Sequence, residues 1–255
     1  STLMRSSAAS DVYKRQLIAG FLYIGAGIGM GGIAIVQKAK KKQQIEARLT
    51  WLEFPYTIAM IVLDIIAPIC LLLGLKFTTA ASASLLNNFE IVTTALIASV
   101  IFKERITHRL WIGIIFITLS CALLSLEDIT SIRFSYGSCF ILLACICWGF
   151  ENNCTRKISS KNPLQIVLLK GIFSGIGSIL IGLCIGERIT FFWSIFVVMI
   201  VGFISYGLSI FFYVYAQRLL GAARTSAYYA IAPFIGTFVS LIIFCELPHF
   251  TYFMS

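Results

Sequence analysis

Apolar runs of about 20 residues, the length a helix needs to cross the hydrocarbon of a bilayer, recur along almost the whole of this chain. Eight can be marked off, roughly at residues 17–36, 55–75, 79–102, 110–126, 137–155, 163–185, 192–216 and 222–245. Connections such as 76–78 and 218–221 are too short for a soluble domain. The expected fold class is therefore an all-α polytopic membrane protein, one helical bundle whose backbone polar groups are satisfied within the helices. Composition agrees, with 59% of the 255 residues hydrophobic and 12% charged and a mean hydropathy of +0.93. The formal charge of +9 does not point to nucleic acid, because the basic residues lie between apolar runs and form no stripe on a soluble face. Nearly all of the eight cysteines lie inside apolar runs, there is no CxxC, and the only histidines are His108 and His249. The cysteines read as small apolar helix residues, and neither a metal nor any other cofactor is expected.

The first 16 residues, STLMRSSAASDVYKRQ, lack the apolar core of a signal peptide. Their tail, SAASDVYKRQ, resembles translated sequencing-adapter read-through, and residues 1–16 are set aside as a non-native segment. At the other end LPHFTYFMS reads as the approach to a further helix. Alternate connections carry 13 Lys and Arg on one side, among them Lys38, Lys103, Arg156 and Arg218, against 3 on the other, Lys76, Arg133 and Arg188. The richer side is expected to face the cytoplasm, with the chain multi-pass in a bacterial cytoplasmic (inner) membrane.

The third run aligns with the eighth at an offset of 142, which pairs Ala80 with Ala222, Ala81 with Ala223, Ser84 with Ser226, Phe102 with Phe244 and Glu104 with Glu246. The same offset sets Lys76 against Arg218. It also matches a stripe of small or polar residues, Ala83, Asn87, Glu90, Thr94 and Ala98 in one run and Thr225, Tyr229, Ala232, Gly236 and Ser240 in the other. Steps of three and four keep each stripe on one helix face, with Leu85, Phe89, Val92 and Leu96 opposite. The charge count runs the two helices in opposite senses, so the repeats are inverted, residues 17–126 forming the first and 137–255 the second. Carrying the offset to the ends predicts a parent of ten helices, five plus five, lacking its first and last helix here. Inverted repeats of this kind place a substrate site near the bilayer midplane.

The segments AGFLYIGAGIGM (19–30), TAASASLLNNFEIVTTALIASVIFKERIT (79–107), CWGFENNCTRKISS (147–160) and LGAARTSAYYAIAPFIGTFVSLIIFCE (220–246) resemble the drug/metabolite transporter superfamily, EamA type. The most specific part is the AxxASLL…E pattern that ends in an acid just past the helix, Glu104 and Glu246. The resemblance implies a ten-helix transporter with both termini cytoplasmic and a central cavity lined by the helices at 55–75, 79–102, 192–216 and 222–245. Members often carry proline midway along the fourth helix of each repeat. Pro233 is that proline in the second repeat, whereas Glu90 and Ile91 occupy the place in the first.

Charged groups within an apolar helix cost about 2.5–3.5 kcal/mol on insertion scales and tend to face a cavity or a partner. Glu90, about 11 residues into its run, is the leading candidate, as a packing carboxyl between helices or as a proton-coupling group. Asn87 and Asn88 flank it and can orient it, bind substrate or bond between helices. Glu151 and Lys170 lie at comparable depths from the same side, which permits an ion pair. Asp64 precedes Pro68 by four residues, so a buried acid and a carbonyl freed by proline fall at one level. In the eighth run Pro233 frees the carbonyl of Tyr229, which lies on the polar stripe. Gly27, Gly29 and Gly32 spell GxGxxG inside an apolar helix with no preceding strand, which does not make a nucleotide site. Such glycine spacings favour close helix packing.

The leading reading is a gradient-driven secondary transporter, exporting small metabolites or drug-like compounds by alternating access. The expected partners are a small-molecule substrate and the lipid bilayer, with no nucleic acid; a homodimer stays open. A membrane-embedded transferase using Glu90, Asp64 or Glu151 would gather its reactive groups near one interface, whereas these acids are spread over depth. A non-transporting subunit is the third reading and fits an inverted repeat less well.

Overall fold

A computed structural model of the chain describes residues 15–39, 46–78, 83, 86–125, 136–186, 192–232 and 235. The described elements are α1 (Arg15–Ala39), a 3-10 turn (Trp51–Glu53), α2 (Phe54–Phe77), α3 (Phe89–Val100), α4 (His108–Ser125), α5 (Tyr136–Ile158), α6 (Pro163–Cys184), α7 (Phe192–Val201), a π-helical segment (Gly202–Gly207), α8 (Leu208–Leu220) and α9 (Ala222–Tyr229). With α7, the π segment and α8 taken as one rod, an all-α polytopic fold with a helix at each of the eight apolar runs is observed. Four rods, Gln16–Ala39, Trp51–Phe77, Pro163–Cys184 and Trp193–Leu220, are long and apolar enough to cross a membrane. Only 11% of the apolar window of the last is buried, an exterior that suits hydrocarbon as solvent.

The chain divides into two compact units, and each draws on both sequence halves. One comprises residues 1–68 and 154–219, the other residues 69–153 and 220–255. The first boundary falls at Pro68, which α2 accommodates without ending.

In the first unit α1 is the central rod. It packs along α6 with Gly20 beside Ile179, Ile24 beside Gly175, Gly27 beside Gly171 and Gly31 beside Leu168. One number rises as the other falls, so the rods run antiparallel. These are the helices that an offset of 142 relates, and their opposed directions express the inversion of the repeat. Contact is through backbone: a Cβ on Gly171 would lie 2.6 Å from the Gly27 nitrogen. On another face Leu22 and Ala26 meet Gly202 and Gly207, the ends of the π segment. There the helix widens by one residue per turn, and the Ser205 hydroxyl donates to the Val201 carbonyl at 2.5 Å.

The connections of this unit are tied at one end. Arg218, near the end of α8, donates to both carboxylate oxygens of Glu46 at 2.9 Å and to the carbonyls of Ser159 and Lys161 at 2.5 Å. Lys161 pairs with Glu53 at 3.1 Å, and the Glu53 carboxylate accepts from the Thr50 backbone N–H at 2.8 Å, which caps the 3-10 turn. Asn162 caps α6 by accepting from the Leu164 N–H at 2.9 Å, and Pro163 follows at the first helical position, where a missing N–H costs nothing.

In the second unit α9 lies on α3 through small residues. Ala222, Ala223, Ala227 and Ala230 pack with Ile91, Ala95 and Ala98, and Ile114 of α4 closes the cluster. The inward stripe of the third run is reproduced, with Thr94 and Ala98 fully buried and Leu96 exposed. After α3 the chain turns through Lys103 at φ +54°, a left-handed conformation uncommon for a side chain of this length. That turn brings the Glu104 carboxylate to the Ala222 N–H, which donates to it at 3.1 Å. Gly221 sits at φ +89°, and the carboxylate fills the space its Cβ would need. Thus the acid of the AxxASLL…E pattern in the first half caps a helix of the second. Glu246 lies outside the described residues.

One expectation is corrected. The run at 79–102 is not one continuous helix, for Asn88 is a turn residue and α3 begins at Phe89. The Ile91 N–H donates to the Asn88 carbonyl at 3.2 Å, a tighter i to i−3 bond, so Glu90 falls in a first turn instead of mid-helix. Adjacent asparagines favour such a break because their side chains compete with the backbone for hydrogen bonds. In the second repeat the turn after α9 is at Ala230 and Ile231. Ala230 is 142 residues beyond Asn88, so both halves interrupt the same helix at the same place.

Substituting Gly171 by Val should therefore destabilise the fold by about 1–3 kcal/mol or more through overpacking. Gly113→Ala, where nothing lies within 4 Å of the added Cβ, should be neutral or stabilise by up to about 1 kcal/mol. Thermal unfolding in detergent, followed by far-UV circular dichroism, compares the two.

Candidate functional site

Each unit holds a polar cluster within its apolar helices. In the second unit the cluster grows from the break at Asn88. Because Ile91 bonds to Asn88, the Asn87 carbonyl loses its helical donor. The Cys145 thiol of α5 replaces it, donating to the carbonyls of Leu86 at 3.4 Å and Asn87 at 3.6 Å. In turn the Cys145 carbonyl accepts from the Thr93 hydroxyl at 2.8 Å, which also reaches the Glu90 carbonyl at 3.0 Å. One turn on, the Asn152 amide donates to Glu90 Oε1 at 3.1 Å and to Thr94 Oγ1 at 3.3 Å. The Asn153 amide donates to the carbonyls of Thr94 at 3.0 Å and Gly149 at 2.8 Å. Gly149 is what lets these helices close, since a Cβ there would stand 2.9 Å from the Thr93 hydroxyl.

Glu90, Asn87 and Asn88 are all partly exposed. The side chain of Asn88 makes no cap bond, and the buried Oδ1 of Asn87 has no hydrogen-bond partner among the described residues. Glu90 itself combines a first-turn position, where the helix dipole favours an anion, with a donor fixed on its neighbour helix. Glu151, adjacent to these asparagines, is buried at 4% exposure. Tyr229 ends α9 and is 57% exposed, while Pro233 lies outside the described residues.

The first unit buries a charge pair. Asp64 of α2 and Lys170 of α6 are 1% and 7% exposed, and Lys170 Nζ stands 3.5 Å from Asp64 Oδ1. The Tyr23 hydroxyl of α1 donates to the same oxygen at 3.1 Å. Tyr206, from the π segment, meets the Tyr23 ring edge-on with centroids 5.3 Å apart. Side chains of three rods thus meet at one carboxylate, and Tyr206 of a fourth packs against Tyr23. Ser174 and Ser178 follow Lys170 at helical spacing, and both hydroxyls are buried without a hydrogen-bond partner among the described residues. The ion pair described for Lys170 is with Asp64, whose chemistry sequence had tied to Pro68.

Sequence reasoning passed over Tyr23, Asn152, Asn153, Thr93 and Cys145. The three consecutive polar residues at 151–153 inside an apolar run were a signal for the asparagines. Nothing in the sequence marks Cys145 as the donor to a broken helix. Among the described residues no group of three His, Cys, Asp or Glu is placed to hold a metal ion.

Apolar exteriors, paired polar clusters and a helix interrupted at equivalent points in two inverted halves define a polytopic α-helical membrane protein of the two-repeat transporter class. The sequence model of the EamA-like transporter family matches residues 2–126 and again 135–255, and the chain belongs to that family. It is 26% identical over 245 residues to an uncharacterized transporter of Methanothermobacter thermautotrophicus, covering 90% of this chain and 71% of the relative. It is 22% identical over 184 residues to the uncharacterized transporter YyaM of Bacillus subtilis, covering 67% of this chain and 59% of that relative. A crystal structure superposes with a TM-score of 0.78 over 98% of this chain and 86% of its own length; at 12% identity this likeness shows the shared fold.

Removing one member of the buried pair should cost up to about 3–5 kcal/mol, because it takes away a charge that compensates its partner. Asp64→Asn is expected to destabilise accordingly, and Asp64→Asn with Lys170→Met to recover part of the loss. A double-mutant cycle on unfolding midpoints reads the coupling.

Proposed function

We propose that the protein is a secondary active transporter that exports small metabolites or drug-like compounds by alternating access of its two halves. In this reading the proton gradient across a bacterial cytoplasmic membrane drives it, with the basic connections facing the cytoplasm. The observation that carries the proposal is the setting of Glu90. It is a partly exposed carboxylate at a helix break, held through one oxygen by Asn152 at 3.1 Å.

Such a group can exchange a proton without refolding its surroundings, because Asn152 and the first turn of α3 support the anion while apolar neighbours oppose it. Asn87 and Asn88 supply neutral donors and acceptors beside it for a substrate. Tyr229, at the end of α9, is the candidate contribution of the second half. Asp64 and Lys170 in the first unit, and separately Glu151 in the second, are further buried charges on which a substrate or a gate would act. Discontinuous helices of this kind hold substrates and coupling ions in other secondary transporters. The acids sit on separate helices, which favours transport over transferase chemistry.

In proteoliposomes containing the protein and an internal pH dye, adding a transported compound should produce proton flux opposite in direction to the substrate and driven by its gradient. Glu90→Gln is expected to abolish that coupled flux while the protein keeps its helical spectrum and monodispersity, and Glu90→Asp to retain part of it. Coupled flux that is unchanged in Glu90→Gln would remove this residue from the mechanism.

A further inference from the structure

The first unit carries a groove of about 710 Å³, lined among others by Trp51, Phe54, Ile58, Ile61 and Val62 on one wall and Leu169 and Phe173 on the other. Its volume is that of a small-molecule site, about 300–1,000 Å³, yet its walls are almost wholly apolar. The polar residues Thr50 and Gln165 lie toward one end, and Thr57 is mid-wall. At that end Gln165 Oε1 accepts from the Leu49 N–H at 3.0 Å, which fixes the mouth to the tied connections.

We propose that this groove holds one acyl chain of an anionic phospholipid, drawn from the leaflet on its basic side. Length is the first argument. From Trp51 to Val62 the wall rises about 16 Å at 1.5 Å per residue, close to one leaflet of a hydrocarbon core about 30 Å thick.

Level is the second. Trp51, 84% exposed, lies against Phe54 with ring centroids 5.3 Å apart, and aromatic rings of this kind sit at the headgroup boundary. Charge is the third. In the connections at the mouth both acids are engaged, Glu46 by Arg218 and Glu53 by Lys161. Arg48, next to the lining residue Leu49, is exposed there, so the charge left for a headgroup is positive. Clustered basic residues at a membrane surface select anionic lipid.

The test uses the purified protein in mild detergent, titrated with dioleoylphosphatidylglycerol or dioleoylphosphatidylcholine, with retained lipid counted by native mass spectrometry. Phosphatidylglycerol should be retained at a concentration about fivefold lower than phosphatidylcholine, and Arg48→Gln should remove most of that preference. Ile61→Phe, which narrows the groove, should reduce retention of both lipids; Leu169→Phe serves if the first variant does not fold. Equal retention of the two lipids by the wild-type protein would overturn the proposal, as would undiminished retention in a folded groove variant. A dimer that the groove variant dissociates would assign the surface to a second copy and equally overturn it.

Discussion

A backbone amide or carbonyl that loses its helical partner inside hydrocarbon has no water to turn to, and much of this structure follows from that constraint. The chain interrupts a helix at Asn88, and the freed carbonyls do not stay bare. A thiol from α5 serves the carbonyls of Leu86 and Asn87. At the start of α9 a carboxylate from elsewhere in the sequence takes the orphan N–H of Ala222. Each irregularity is thus bound to a neighbouring helix, and the helices that supply the partners must approach closely enough to do so. Small residues at the contacts, Gly149 beside Thr93 and the alanines of α9 against α3, are what permit that approach.

The same economy governs charge. Asp64 and Lys170 are buried beyond the reach of bulk water and answer each other, with Tyr23 added on one oxygen. Glu90 is set differently, partly exposed and held by a neutral amide. A neutral donor can hold a carboxylate without cancelling its charge, whereas a lysine compensates it. The two clusters therefore differ in kind, one a buried charge pair and the other a carboxylate held by an amide.

Much of the fold was legible in the sequence because hydropathy is a one-dimensional signal. A run of twenty apolar residues reads the same whatever surrounds it, and the described helices fall on all eight runs. The inward stripe of Thr94 and Ala98 was legible for a similar reason, since helical spacing is local. What escaped depended on rotation about the helix axes and on which rods are neighbours. Depth leaves the azimuth open, so the pairing of Asp64 with Lys170 was not legible. Asn87 and Asn88 were read as side-chain chemistry within an unbroken helix, while their larger effect is on the backbone. Cys145 looked like filler because its role appears only once the facing helix is known to be broken.

The bond from Glu104 to Ala222 spans 118 residues of sequence, and it joins the two halves of an inverted repeat. At about 5–20 residues per second of synthesis, the acid leaves the ribosome roughly ten seconds before the amide it will serve. Through that interval the first half holds a capping carboxylate whose helix has not yet been made. The first compact unit waits too, because it includes segments up to residue 219. Neither half can complete its final packing while the other is unmade. Duplication gave this protein two similar halves, and interleaving made them interdependent during birth.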